Sequence, residues 1–140
     1  MKDVIKKVHQ YNHNIADVWK AISEAEEISA WFIKADFKAE VGYEYTFTHE
    51  GTVINGKVLK ADPVFTLAYT WIVSGTGVET TVTWNLKENE DGTMLTLEHS
   101  GITNYPNEQM ATTMFESFSG GWDSCISKLN EFLTNKKHVA

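Results

Sequence analysis

The stretch Ser117–Leu133 reads SFSGGWDSCISKLNEFL and sets two consecutive glycines, Gly120 and Gly121, inside a strong helical pattern. From Met110 through Met114, Phe118, Trp122, Cys125 and Leu129 to Leu133, apolar residues recur at spacings of three and four. That phase crosses the glycines unbroken, so they do not end the helix. A glycine in a helix interior costs about 1 kcal/mol relative to alanine, and the pair therefore forfeits about 2 kcal/mol. A helix of ~25 residues would be ~37 Å long, the length of a whole sheet. Gly121 stands three residues after Phe118 and four before Cys125, on the apolar stripe itself. Two accounts are open: the helix approaches a strand or a bulky Trp closely there, or the missing side chain leaves a void.

Upstream, the texture between Ala35 and His99 is β. Phe65, Leu67, Tyr69, Trp71 and Val73 alternate with Thr66, Ala68, Thr70 and Ile72, and Val78, Thr80, Val82, Trp84 and Leu86 alternate again. Asp62-Pro63, Gly75-Thr76-Gly77 and Asp91-Gly92 are turns between them. Glu50-Gly51 and Asn55-Gly56 each qualify as the tip of an earlier hairpin. Short turns between alternating strands predict an antiparallel meander with one buried face. Before it, Val4–Tyr11 reads as a strand whose inward phase is ambiguous. Asn14 then resembles the cap of a short helix, and Ser23 with Glu26 a capping box for a second. The order is β, two short helices, a meander and a long C-terminal helix. That is α+β, an antiparallel sheet of about six or seven strands whose apolar face is covered by the last helix. At 140 residues the chain is read as a single domain, residues 1–140.

Composition bounds the function. The 19 acidic against 12 basic residues leave a net charge of −7, which disfavours nucleic acid, because phosphate binding needs a basic face. Five Trp, five Tyr and seven Phe are many for this length, and imply either a bulky core or an aromatic-lined pocket. The N-terminal residues carry no apolar h-region, no window approaches 18 apolar residues, and the lone Cys125 allows no internal disulfide; no signal peptide, no membrane insertion and a cytoplasmic location are expected.

Catalytic chemistry finds little support in the residues. His9 and His13 have HxxxH spacing, but on a strand and its following turn those positions do not converge, so no metal site is expected. Gly75-Thr76-Gly77 opens like a dinucleotide fingerprint, yet Thr80 and a strand follow, so no cofactor is expected. Cys125 falls on the apolar helix face and reads as a small core residue. Ser117 and Ser119 lack a nucleophile elbow. His99, at a strand end, is either a hydrogen-bonded structural residue or a proton-shuttling or ligand-recognising one. No carboxylate pair falls on inward positions.

The segments NIADVWKAIS…ISAWF, Gly42 before an aromatic-rich strand, GTMLTLEHSGI and GGWDSCISKLNEFL, in this order and spacing, resemble the Hsp90-ATPase-activator-homologue-like (AHSA1-type) domains. These belong to the START/Bet v 1 helix-grip superfamily, also called SRPBCC. The resemblance covers about residues 4 to 135. It implies a curved sheet gripping the long helix over an apolar cavity, which relatives use for lipids, sterols, polyketides and plant aromatics. By that resemblance Trp31, Phe32, Phe47, Trp71, Trp84, His99, Met114, Phe118 and Trp122 line the cavity, and Gly121 widens it. His99, Tyr45 and Tyr69 are the polar groups that would orient a ligand. The expected function is non-enzymatic binding of a small hydrophobic molecule, lipid-like or aromatic. The alternatives are a stress-linked or co-chaperone-like module that contacts a chaperone or client, and a polyketide-cyclase-like enzyme. The chain starts at the first strand, so the N-terminal module that makes much of the Hsp90 contact in the eukaryotic co-chaperone is not expected before it.

Overall fold

The chain opens with β1 (Ile5–Tyr11) and two short helices, α1 (Ile15–Ser23) and α2 (Ala25–Trp31). Six strands follow: β2 (Lys34–Asp36), β3 (Glu44–His49), β4 (Thr52–Asp62), β5 (Thr66–Val73), β6 (Glu79–Asn89) and β7 (Gly92–Ser100). A 3-10 turn at Ile102–Asn104 then leads into α3 (Glu108–Val139). The structure, a computed structural model, describes residues 3–139. Residues 1, 2 and 140, part of the domain expected from the sequence, lie outside the described residues.

All seven strands form one curved antiparallel sheet in the order β1-β7-β6-β5-β4-β3-β2. The meander accounts for every neighbour except one. β1 closes on β7, from Ile5 opposite His99 to Tyr11 opposite Thr93. That pairing settles its phase: Ile5 and Tyr11 are buried, while Val4 and Val8 on the other face are exposed. Lys7 shares the inward face because its ammonium reaches helix α3, donating to Ser119 Oγ at 2.9 Å and pairing with Asp123 Oδ1 at 3.0 Å.

The helix starts follow local hydrogen bonding. Asn14 Oδ1 accepts from the Asp17 backbone N–H at 2.9 Å and caps α1. The capping box expected at Ser23 and Glu26 does not form. Ser23 is the last residue of α1, and its hydroxyl donates back to the Trp19 carbonyl at 2.6 Å. Glu24 takes the cap position of α2 without a side-chain bond. Of the two candidate hairpin tips, Glu50-Gly51 is the turn between β3 and β4, with positive φ at both residues. Gly56 lies within β4 instead.

Helix α3 has 32 residues, about 48 Å at 1.5 Å per residue, and is longer than the apolar pattern because it continues past Leu133. Asn107 Oδ1 caps it by accepting from the Met110 N–H at 2.8 Å. It runs through Gly120 and Gly121 without a break. Its two halves pack differently. Trp122, Cys125, Ile126, Leu129 and Leu133 are buried, and Tyr11 pins this half by donating to the Ile126 carbonyl at 3.0 Å. Met114, Phe115 and Phe118 in the first half are only half-buried. Among the described residues, no helix is long and apolar enough to cross a membrane.

Candidate functional site

Beside the half-buried part of α3 lies an apolar groove of about 450 Å³, within the size range of small-molecule sites. Its helix wall is Met114, Ser117, Phe118, Gly121 and Trp122. The opposite wall is built by the β3–β4 hairpin (His49, Thr52 and Ile54), by Trp71 and Val73 on β5, and by Phe32 and Ile33 after α2. A β-carbon added at Gly121 would meet nothing within 4 Å, and Gly121 is exposed along the groove. The missing side chain therefore leaves open space and serves no close contact with a strand or Trp. Gly121 sits at the edge of the apolar stripe, where α3 faces the groove.

The walls are chiefly aromatic. The Trp71 and Trp122 rings are 5.3 Å apart, Trp71 meets Phe118 edge to face at 6.4 Å, and Phe32 lies 6.2 Å from Trp122. The Trp71 indole N–H is buried with no hydrogen-bond partner among the described residues. An unmet buried donor typically costs about 1–3 kcal/mol. His49, Thr52 and Ser117 supply the groove's polar side chains. No Lys, Arg, Asp or Glu lines it.

Of the residues that the family resemblance assigns to the cavity, Phe32, Trp71, Met114, Phe118, Gly121 and Trp122 come together in the groove. Trp31, Phe47, Tyr69 and Trp84 stand behind it, around a void of only about 10 Å³. Their polar atoms are engaged: the Trp84 indole donates to Tyr69 Oη at 2.9 Å, and the Trp31 indole to the Ala21 carbonyl at 2.8 Å. Tyr45 is also buried, with its hydroxyl donating to the Thr70 carbonyl.

His99 also lies behind the wall, 0% exposed. An indole N–H can only donate, so the Trp122 bond at 3.0 Å makes His99 Nδ1 an acceptor and places the ring proton on Nε2. Nε2–H then donates to Thr80 Oγ1 at 2.6 Å, and the Thr80 hydroxyl donates to the Trp71 carbonyl at 3.2 Å. The imidazole stacks on Phe118 at 4.6 Å and meets the Trp71 ring at 5.7 Å. Burial pushes its pKa from the usual 6.5 down to about 4, so it is neutral at physiological pH. His99 thus touches Trp71, Phe118 and Trp122, three residues of the groove wall, with both ring nitrogens occupied.

The sequence did not point to Ile33, His49, Thr52, Ile54, Val73 or Ser117 as lining residues. Of these only Val73, at the end of the Phe65–Val73 alternation, carried a usable signal. Burial raises the Cys125 thiol pKa far above its ordinary value, which leaves it no thiolate for nucleophilic work. A larger depression of about 640 Å³ lies between the α1 start and the β6–β7 turn, but its lining carries charged side chains, Asp17, Glu88, Glu90, Asp91 and Lys136, and is not the apolar site expected. No group of three or more His, Cys, Asp and Glu able to hold a metal occurs among the described residues.

Comparison with solved structures places this architecture among bacterial proteins of the same shape. A Mesorhizobium loti protein is 26% identical over 94% of this chain and 97% of its own, with a TM-score of 0.86. A Bacillus halodurans protein is 28% identical over 95% of this chain and 97% of its own, with a TM-score of 0.78. DynU16, a protein of the dynemicin biosynthetic locus, shares the fold at 20% identity and a TM-score of 0.84; the match spans 96% of this chain and 48% of that one. Among curated proteins, none matches this chain in sequence. The family model described as Activator of Hsp90 ATPase homolog 1-like protein matches residues 12–134, which include α1, α2, the meander and all of α3 that borders the groove. With the matched segment covering nearly the whole fold, the chain belongs to the Activator of Hsp90 ATPase homolog 1-like family.

Proposed function

We propose that this chain is a single-domain, non-enzymatic binding protein for a small hydrophobic molecule, lipid-like or aromatic, held in the groove between sheet and α3. The observation that carries this reading is the open space beside Gly121. A helix that forfeits about 1 kcal/mol at Gly121 without gaining a packing contact there keeps room for something else. Apolar burial would supply most of the binding, about 25 cal/mol per Å² removed from water. The wall's polar side chains are His49, Thr52 and Ser117, and the one carboxylate near them, Glu50, lies outside the lining, which favours holding a ligand over transforming it.

Titration with a panel of lipids, sterols and flavonoid-like aromatics, followed by amide chemical shifts, tests the reading. Shifts should cluster at Trp71, Phe118, Gly121 and Trp122. Shifts scattered over the surface would count against it. Gly121→Leu sharpens the test, because leucine recovers about 0.8 kcal/mol of helix propensity and extends into empty space. The variant is expected to melt at or above the wild-type urea midpoint, while affinity for a panel hit falls about tenfold, or 1.4 kcal/mol. A variant destabilised by several kcal/mol would show that the space is not free.

The interaction-module alternative calls for a contiguous apolar face. The exposed apolar side chains Val4, Val8, Val41, Leu59 and Phe65 come instead from the residue before β1, β1 itself, the β2–β3 connection, β4 and the β4–β5 turn. Exposed apolar residues scattered in this way are normal on a soluble surface.

A further inference from the structure

We propose that the groove takes an uncharged ligand and rejects carboxylates and phosphates of equal apolar size, so that free fatty acids and phospholipids are not its lipid-like occupants. This rests on the reading of the groove as a ligand site. The argument begins with what the walls lack. An anionic headgroup entering the groove loses hydration and meets no Lys or Arg among the lining residues. Thr52 and Ser117, both exposed along the groove, offer hydroxyls. These are neutral donors, suited to a carbonyl, ether or hydroxyl oxygen.

The one titratable side chain at the groove, His49, does not repair the deficit. Its Nε2 lies 3.7 Å from Glu50 Oε2, so an imidazolium there is already matched by a carboxylate. The field of the whole chain acts in the same direction, since its net charge of −7 repels anions before they dock. The cations paired within the fold serve other places: Lys7 holds Asp123 on α3, and Lys136 holds Glu27 on α2.

Two matched pairs of probes decide it near neutral pH: methyl naphthyl ketone against naphthoate, and dodecanol against dodecanoate. Affinities come from tryptophan fluorescence, and amide shifts locate the site. The neutral member of each pair is expected to bind about tenfold tighter or more, at the groove. Ser117→Lys sets an ammonium on the helix wall at an exposed position. Relative to the neutral probes, whose affinity also loses the Ser117 hydroxyl, it should tighten the two carboxylates about three- to tenfold. Carboxylates that bind the wild type within about twofold of their neutral partners, at the groove, would overturn the charge selection and leave the binding site standing. Unchanged carboxylate affinity in Ser117→Lys would overturn it too. If none of the four probes shifts groove residues, the binding-site reading itself falls, and the charge selection with it.

Discussion

Acidification through the window between about pH 6.5 and pH 4 should weaken the fold by roughly 3 kcal/mol through His99 alone. In the unfolded chain the imidazole protonates near its ordinary 6.5, while burial holds the folded value near 4. The unfolded state therefore binds more protons across that window. The contribution is fully present above pH 6.5 and is lost as pH falls through 4. The geometry gives the same sign, because a proton on Nδ1 would face the Trp122 N–H donor across 3.0 Å. Carboxylates also titrate in this range, so the measurement is a comparison of urea melts for wild type and His99→Gln over a pH series. The common carboxylate contribution cancels, and the gap between the two proteins should close toward low pH. His99→Leu at neutral pH should cost about 2–4 kcal/mol, since it strands the Trp122 indole and removes the Thr80 partner. A leucine variant as stable as wild type would show that His99 does not hold the groove wall together.

Gly56→Ala is expected to cost about 3 kcal/mol or more, well beyond an ordinary strand substitution. A β-carbon there would stand 2.1 Å from the Thr70 carbonyl oxygen and 2.7 Å from the Thr70 carbonyl carbon and Oγ1. The two nearest of these atoms are backbone and cannot rotate away. β4 and β5 are pressed together at this point. Lys57 N–H donates to Thr70 Oγ1 at 2.8 Å, and the Thr70 carbonyl accepts the Tyr45 hydroxyl. Trp71, the next residue, is a wall of the groove, so the strain should also lower ligand affinity. Gly120→Ala is the control: nothing lies within 4 Å of the added carbon, and the helix should gain up to about 1 kcal/mol. Denaturant melts of both variants check the contrast. A Gly56→Ala protein within about 0.5 kcal/mol of wild type would mean that β4 and β5 can part there without penalty.

Gly121 and Gly56 mark how far the sequence could be read. Gly121 sits in an unbroken apolar period, which makes it a helical residue on an apolar stripe, yet close packing and open space predict the same letters. Gly56 could be a hairpin tip as easily as a strand interior, because Asn-Gly looks the same in both settings. The alternation of β5 through β7, the long terminal helix and their order were legible, since periods of 2 and 3.6 are written residue by residue. Those periods decide which face of each element is apolar. They are silent on how far a neighbouring element stands from that face. Trp71 and Trp84 share the same inward phase, but Trp71 borders the groove and Trp84 bonds to Tyr69 behind it. His49 and Thr52 reach the site only because the β3–β4 hairpin comes up beside α3. By itself the sequence determined the main elements, their order and, β1 apart, their apolar faces, because these depend on contacts a few residues apart. The groove, the fate of each tryptophan and the sealed position of His99 were decided by the tertiary structure alone, because they are distances between elements far apart in the chain.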